Sequence, residues 1–344
     1  MFAWPRTKAL WIHRYNKYTH IIGTYFSFWR KYTQLRSLKA TLQGRPIIAI
    51  VLSEQMGDII ACEPVIREVR RRYPDAWLIW FVRQAYVDLV KYHPDLNGHL
   101  IEKCPGERVK LINSGVFDHV FNMHLSHRKC KYCIEDPVNP VAEKLHINYS
   151  NYYFHGNLLH SFSLAAGLPA LDDQPVMHIP TNVQAKISRL NIPKDAIVIH
   201  CQSSHAPRDW QPDNWNKLVR WMLATYPNTV IEVGLTPIVQ LNDPRFINLC
   251  GQLSLLETAE VIRRARLFIG IDSGPAHMAN AGGTDGIIML GQLFDFVDYM
   301  PYSGRYQHGD GVTILNQLGH PCADMPFEWV QEAVVNRLAE PKLV

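Results

Sequence analysis

The sequence of 344 residues has few cysteines, no long apolar run and no repeat. Its seven cysteines are scattered, unlike the dense framework of a small secreted domain held by disulfides. No stretch reaches the roughly 18 apolar residues of a membrane-spanning helix, and the N-terminus lacks the apolar core and cleavage site of a secretory signal. Low-complexity tracts and short-period repeats are also absent. We therefore expect reduced thiols and a cytoplasmic location.

The composition is that of an ordinary folded protein. Hydrophobic residues make up 47% of the chain and charged residues 19%, which excludes disorder, collagen-like repeats and coiled coil. At roughly 100–200 residues per domain, the length predicts two domains, each large enough to bury its own core.

Acidic residues are missing from the first 45 positions. This arm, residues 1–45, carries nine basic and ten aromatic side chains. The rest of the chain holds 26 basic and 31 acidic residues, so a strongly basic arm precedes a slightly acidic body. The basic residues are Arg6, Lys8, Arg14, Lys17, Arg30, Lys31, Arg36, Lys39 and Arg45, and the aromatic residues are Phe2, Trp4, Trp11, Tyr15, Tyr18, Tyr25, Phe26, Phe28, Trp29 and Tyr32.

Three environments fit such an arm. Cations attract anionic headgroups, and Trp and Tyr suit the membrane interface, so the arm could lie on the inner-membrane surface. It could instead bury its rings against the body or a second subunit. Single-stranded nucleic acid also accepts cations and stacking rings, but no recognised motif supports that partner, and we expect no nucleic acid.

Two series of strand, helix and strand follow the arm. Residues 46–53 (PIIAIVLS) form an apolar run rich in β-branched side chains, which predicts a strand buried on both faces. Apolar residues at helical spacing over 59–73 predict a helix that ends at Pro74, and 76–82 (AWLIWFV) predicts a second strand. This βαβ pattern indicates a parallel sheet.

The pattern restarts at residue 196 (AIVIHC) and continues through predicted strands at 229–234, 267–271 and 286–290, with helices between them. Two series predict an α/β protein with two Rossmann-like domains facing a central cleft. We assign the arm to 1–45, an N-terminal Rossmann-like domain to 46–184, a C-terminal Rossmann-like domain to 185–326 with a linker near 185–195, and a final helix over 327–344 that could cross back to the first domain.

The segment 272–279 (DSGPAHMA) follows an apolar strand and opens a helix. Ser273 can cap that helix, Gly274 permits close approach of a ligand, and Pro275 suits the first turn. A helix start of this kind attracts phosphate, and His277 could donate to an anion or a sugar hydroxyl. The alternative is an ordinary capped helix with a surface histidine.

Two further segments carry possible chemistry. Arg208 follows the strand near residue 200, where it could neutralise a diphosphate at the cleft. Trp210 and Trp215 nearby are more typical of packing than of base stacking. Gly57 and Asp58 follow the first strand, where the Asp58 carboxylate could accept a proton or merely cap the next helix.

Together these segments resemble the family-9 glycosyltransferases, the ADP-heptose:lipopolysaccharide heptosyltransferases and their relatives. The resemblance extends over about 230 residues. The matching pieces occur in family order: Met56-Gly57-Asp58 with Pro64, Tyr73 and Pro74, then Arg208-x-Trp210-x-Pro212-x-x-Trp215, then Gly251-x-Leu253-Ser254-Leu255, and then the segment 272–282.

The resemblance implies a GT-B fold and inverting, metal-independent transfer from a nucleotide-diphosphate sugar, with no cofactor. It implies that 46–184 is the acceptor-side domain, that 185–326 is the donor-binding domain, and that Asp58 is the catalytic base. For donor binding it implies Gly57, Arg208, Asp272, Ser273, Gly274, Pro275 and His277. Arg208 stands where many members have Lys. The family's ribose-binding Glu has no counterpart in 235–240, which leaves the nucleotide open.

Four metal-binding residue types lie close together at His124, His127, Cys130 and Cys133. Thiolate and imidazole are zinc ligands, but four ligands within ten residues lack the usual intervening hairpin and helix. A structural metal site, a redox pair and an acceptor-facing loop of reduced cysteines are the three interpretations, and we favour the last.

The predicted function is transfer of heptose from ADP-heptose onto a lipopolysaccharide core or another cell-surface glycan, by a cytoplasmic enzyme that touches the inner membrane. A glycosyltransferase acting on protein side chains and a non-catalytic nucleotide- or glycan-binding relative are the alternatives.

Overall fold

The computed structural model describes residues 4–339, with side chains from residue 8 onward. The chain forms two compact units. The N-terminal unit contains residues up to 53, 66–149 and 164–168, and the C-terminal unit contains 54–65, 150–163 and 169 onward.

The N-terminal unit has a four-stranded parallel sheet of order β3-β2-β1-β4. Its strands are β1 (Ile47–Val51), β2 (Trp77–Val82), β3 (Gly98–Ile101) and β4 (His119–Asn122), and its helices are α1 (Trp4–Thr41), α3 (Pro64–Arg72, from Ile66 onward), α4 (Pro105–Ile112) and α5 (Pro140–Lys144). Every residue of β1 is buried, as expected for a central parallel strand covered on both faces.

The C-terminal unit has a six-stranded parallel sheet of order β10-β9-β8-β5-β6-β7. Its strands are β5 (Ile197–His200), β6 (Val230–Glu232), β7 (Phe246–Asn248), β8 (Leu267–Ile271), β9 (Gly286–Leu290) and β10 (Val312–Asn316). Its helices are α2 (Met56–Ala61), α6 (Leu158–Ala165, up to residue 163), α7 (Thr181–Ser188), α8 (Pro212–Thr225), α9 (Leu255–Arg264), α10 (Gly274–Ala281) and α11 (Phe327–Ala339). Two parallel sheets with helical crossovers confirm the predicted α/β class.

One predicted helix is two helices. The pattern over 59–73 predicted a continuous helix, but α2 ends at Ala61 and α3 starts at Pro64. Proline lacks the N–H that a helix interior needs, and it is well tolerated in a first turn. Pro64 therefore separates the short helix that carries Asp58 from the longer one that follows.

The second half of α1 packs on the N-terminal unit. Leu35 and Leu42 lie in the hydrophobic core under β1, and the Lys31 ammonium forms a buried ion pair with Glu107 of α4 at 2.7 Å. The packing interpretation is therefore right for this half of the arm. The helix from Lys8 to Thr19 is exposed, Phe2 lies outside the described residues, and the side chains of Trp4 and Arg6 are not described.

Between residues 4 and 339, no helix is long and apolar enough to cross a membrane. The segment expected as a linker, 185–195, begins inside α7, which packs on α9 through an ion pair between Lys186 and Glu257. The final helix α11 packs on α8, β9 and β10, and residues 340–344 of the predicted terminal segment lie outside the described part of the chain.

Candidate functional site

The helices α2 and α10 meet through two glycines. A Cβ atom on Gly57 would lie 2.7 Å from Cδ2 of His277, and one on Gly274 would collide with the Met56 side chain. Each glycine therefore leaves room for a side chain from the other helix. This reciprocal contact brings the start of α2, with Asp58, against the start of α10, the predicted anion-binding helix.

Asp58 is the third residue of α2 and is half-buried. Its carboxylate accepts the backbone N–H of Gln55 at 3.3 Å, and the Gln55 side chain in turn accepts the N–H of Asp58, which makes a reciprocal capping box. The carboxylate thus takes part in capping, as one interpretation expected, although Gln55 and not Asp58 is the N-cap.

Ser273 does not cap α10 with its side chain, so that expectation is wrong. The residue stands at the N-cap position in an extended conformation, but its hydroxyl donates to the Ile271 carbonyl at 3.1 Å and lies 3.0 Å from Nδ1 of His200. The hydroxyl therefore bonds to groups at the ends of β8 and β5, and not to the N–H groups of α10. The start of α10, where Gly274 and Pro275 occupy the first turn, consequently has no side-chain cap.

Asp272 is buried at the end of β8 and holds three partners. It accepts hydrogen bonds from the hydroxyls of Tyr299 at 3.0 Å and Tyr302 at 3.2 Å, and from Nη1 of Arg208 at 3.3 Å. A buried carboxylate engaged in this way repels an anion. Its contacts instead fix the Arg208 guanidinium near the start of α10, so Asp272 has the geometry of a positioning residue.

The Arg208 guanidinium lies in a largely buried position, with 17% of its side chain exposed. Burial lowers its pKa, but the Asp272 carboxylate together with Tyr299 and Tyr153 reverses this and leaves the pKa above its ordinary value. Its Nε is buried without a hydrogen-bond partner. A buried unpaired donor on a cation is costly unless a ligand accepts from it, and phosphate oxygens suit that geometry.

His277 is buried, which contradicts the interpretation of a surface histidine. Burial, together with the neighbouring Arg208, lowers its pKa to about 4, while Asp272 acts in the opposite direction. Burial also lowers the pKa of His200 to about 4. Both imidazoles are therefore neutral at pH 7, and the positive potential of this region comes from Arg208 and the helix start.

No sequence pattern indicated that Tyr152 and Tyr153 lie at the site. Tyr153 packs on Tyr299 with ring centroids 4.8 Å apart, and Tyr152 packs on Tyr153 at 4.4 Å. Burial raises the pKa of Tyr152, and the Asp58 and Asp272 carboxylates raise it further, so this ring lies within electrostatic reach of both acids. No fixed spacing in the sequence links these tyrosines to residue 272.

Trp210 and Trp215 are core residues, as the packing interpretation expected. Both are buried, their rings meet edge to face at 5.3 Å, and Nε1 of Trp210 donates to the Met325 carbonyl at 2.9 Å. Glu232 in β6 is also structural, because its carboxylate accepts the backbone N–H groups of Ile238 at 2.7 Å and Val239 at 3.2 Å. Glu232 thereby holds the loop over 235–240, the segment in which the resemblance led us to look for a ribose-binding Glu and found none.

The four residues of the metal-site interpretation do not come together, because two of them have other partners. Nε2 of His124 accepts the N–H of Ser53 at 3.0 Å, and His127 faces Asp136 and Glu143, each at 3.2 Å. Cys130 and Cys133 lie instead with two residues that sequence spacing could not link to them, His20 and Cys104. These four residues belong to the N-terminal unit, whereas the site around Arg208 belongs to the C-terminal unit.

Comparison with known proteins shows a similarity to one family of glycosyltransferases. The profile of glycosyltransferase family 9 (heptosyltransferase) matches residues 157–293, which include Arg208 and the whole of α10. A curated relative, lipopolysaccharide heptosyltransferase 3 of Escherichia coli, is 21% identical over 289 residues, which cover 72% of this chain and 84% of the relative.

Solved structures share the fold at low identity. A family-9 glycosyltransferase from Veillonella parvula aligns with a TM-score of 0.65 and 16% identity, covering 86% of this chain and 98% of that one. ADP-heptose lipopolysaccharide heptosyltransferase II of E. coli aligns at 0.61 and 15%, with the same coverage. An E. coli heptosyltransferase solved with ADP aligns at 0.56 and 11%, covering 85% and 99%. With its two parallel sheets, the chain thus has the GT-B fold of these glycosyltransferases, and its residues 157–293 are similar to glycosyltransferase family 9 (heptosyltransferase).

Proposed function

We propose that the protein transfers heptose from ADP-heptose, with inversion at the anomeric carbon, onto a lipopolysaccharide core or another cell-surface glycan. The curated relative is a lipopolysaccharide heptosyltransferase, and one structural neighbour was solved with ADP, which supports this donor and acceptor. The observation that carries the donor site is the Arg208 guanidinium, held by Asp272 beside the uncapped start of α10 with its Nε unpaired.

Each group has a distinct task in this mechanism. The Asp58 carboxylate removes the proton from the acceptor hydroxyl as its oxygen attacks the anomeric carbon of the donor. The bond from that carbon to the diphosphate oxygen breaks, and negative charge grows on the departing ADP. Arg208 and the N–H groups at the start of α10 stabilise this charge without a metal ion or cofactor. Neutral His277 supplies one hydrogen-bond donor or acceptor at the same helix.

The exposed part of α1 supports a second element of the proposal, contact with the inner surface of the cytoplasmic membrane. Between Lys8 and Thr19 this helix carries cations and no acid, and Trp11, Tyr15 and Tyr18 each expose more than half of their surface. Basic residues are attracted to anionic lipids, and Trp and Tyr settle at the headgroup level. A peripheral location brings the enzyme to a membrane-borne glycan acceptor.

The donor site is tested with Arg208 variants. Calorimetric titration of the full chain with ADP, GDP, UDP and ADP-heptose should show preference for the adenine nucleotides. We expect Arg208→Ala to weaken ADP binding by about 10- to 100-fold, since a charge-assisted hydrogen bond contributes roughly 1.5–3 kcal/mol. Arg208→Lys keeps the charge but loses the bidentate geometry of the guanidinium. Its ADP affinity should therefore lie between that of the wild type and that of Arg208→Ala.

Arg220→Ala, on the exposed face of α8, is the matched control and should bind as the wild type does. Unchanged ADP affinity in folded Arg208→Ala would remove this residue from the diphosphate site. Tight donor binding without transfer to any glycan acceptor would favour a non-catalytic relative, and transfer to a polypeptide would favour the protein-acceptor alternative.

A further inference from the structure

Four metal-binding side chains converge in the N-terminal unit from three separate elements. His20 lies on α1, Cys104 is the N-cap of α4, and Cys130 and Cys133 lie on the loop after β4. One ligand atom from each, Nε2 or Nδ1 of the histidine and Sγ of the cysteines, lies within 4.8 Å of all the others. The glycosyl-transfer mechanism uses none of these residues.

The distances suit a single tetrahedral ion. The Sγ atoms of Cys104 and Cys133 are 3.7 Å apart, and Sγ of Cys130 is 3.3 Å from Nε2 of His20. Zinc bonds of about 2.3 Å to sulfur and 2.0 Å to nitrogen place tetrahedral ligands about 3.5–3.8 Å apart. A disulfide needs about 2.05 Å between sulfurs, and all seven cysteines are free.

Backbone groups help to orient the cysteines of this cluster. The backbone N–H groups of Tyr132 and Cys133 donate to Sγ of Cys130, so the Cys130–Cys133 turn folds around that sulfur. Cys104 is fixed at the N-cap position of α4. Hydrogen bonds of this kind orient metal ligands.

The turn is also packed tightly on α4. A Cβ atom on Gly106 would lie 2.7 Å from both Cβ and Sγ of Cys133, so only glycine lets this cysteine lie against the start of the helix. The Lys103 ammonium lies against Gly23, three residues beyond His20 on α1. Three thiolates around a divalent ion leave one net negative charge, which this lysine can offset.

We propose that His20, Cys104, Cys130 and Cys133 form a structural site for one divalent transition-metal ion, with zinc as its preferred occupant. Three thiolates and an imidazole are a standard set for structural zinc, and the fourth ligand leaves no open position for a substrate. By binding ligands from all three, the ion would link α1, the start of α4 and the 130–133 turn. This site is independent of the proposed heptosyl transfer.

The test is elemental analysis of the full chain purified without a histidine tag. We expect about one equivalent of zinc per chain, or of iron if that ion fills the same ligands during expression. Cys130→Ser and His20→Ala should each lower the metal content at least fivefold. Cys250→Ser, at a half-buried free cysteine outside the cluster, is the matched control and should keep it.

Replacement of the bound ion by Co²⁺ gives a spectroscopic readout that tests ligand identity. A site with three thiolates should show intense tetrahedral ligand-field bands and sulfur-to-cobalt charge transfer, which weaken in Cys130→Ser and persist in Cys250→Ser.

His20 is only partly buried, so His20→Ala should fold even if a cysteine variant does not. Wild-type protein with less than 0.1 equivalent of metal and no cobalt spectrum would overturn the proposal. Loss of two mass units through a disulfide among these cysteines would also overturn it.

Discussion

The Asp58 carboxylate combines a capping contact with the proposed role of base, and one substitution separates the two. Asn at this position still accepts the Gln55 N–H, so Asp58→Asn should melt within a degree or two of the wild type. An amide cannot take the acceptor proton, so turnover should fall by roughly 10²–10⁴-fold while ADP affinity stays unchanged. Melting temperature, calorimetry and a transfer assay on this variant measure the three effects.

Gln55→Ala is the matched control for this prediction. It removes the other half of the same capping box and leaves the carboxylate in place, so it should cost about 0.5–1 kcal/mol of unfolding free energy with little change in turnover. If folded Asp58→Asn retains near-normal transfer, Asp58 is only a capping residue.

His200 and His277 make stability depend on pH. The pKa of each is about 4 in the folded chain, against about 6.5 for an exposed histidine. Between these values the unfolded chain binds protons that the folded chain does not, so unfolding free energy falls as the pH drops from about 6.5 towards 4. The loss of unfolding free energy reaches about 3 kcal/mol per histidine once the pH is below the folded-state pKa.

Urea unfolding at pH 7.5, 6.0 and 5.0 measures this dependence. His200→Asn, whose side chain can still reach Ser273, should flatten the slope, and the exposed His308→Asn should leave it unchanged. A slope in His200→Asn as steep as that of the wild type would show that other groups cause the acid sensitivity.

The helix α1 has two parts with different expected roles. Its second half contributes Leu35 and Leu42 to the core and the Lys31 ion pair, whereas residues 8–19 are exposed and basic. Deletion of residues 1–18 removes four basic residues, each of which contributes about 1 kcal/mol to binding at an anionic surface. The shortened chain should fold normally and sediment with anionic liposomes at least tenfold more weakly.

Salt should weaken the binding of the intact chain, and neutral liposomes should bind neither form. Deletion of residues 1–45 is the structural comparison, and it should lower the melting temperature strongly because it uncovers the core around β1. Equal binding of anionic liposomes by the intact and the 19–344 chains would reject the membrane role.

At the level of the whole enzyme, we expect heptosyl transfer without a catalytic divalent ion, because Arg208 and the start of α10 provide the positive charge at the diphosphate. Initial rates measured within minutes of adding EDTA should stay within about twofold of the untreated rate, and Mg²⁺ or Mn²⁺ should not raise them. Rapid and complete loss of turnover that Mg²⁺ restores would contradict this prediction.

The proposed structural ion requires a separate control. Prolonged chelation that removes zinc from the cysteine site should increase proteolysis within α1 before it changes donor affinity. Metal content measured in the same samples distinguishes loss of that ion from an effect on the transfer step.

The architecture was predictable because it depends on local patterns. Continuous apolar, β-branched runs such as those of β1 and β8 can only be buried in a parallel sheet, and the helices between them force crossover connections. The start of α10 was predictable for the same reason, since Gly274 and Pro275 follow directly after the end of a buried strand.

The contacts that shape the candidate site depend on the tertiary structure. Ser273 reaches His200 across 73 positions, Tyr302 reaches Asp272 across 30, and Cys104 approaches Cys133 across 29. Sequence spacing carries information only where the backbone between two residues is one regular element. The sequence by itself therefore determined the strands β1, β2, β5, β6, β8 and β9, the start of α10 and the basic arm, but it did not reveal β3, β4, β7 and β10. Only the folded chain decided which side chains meet, because loops and separate elements bring them together.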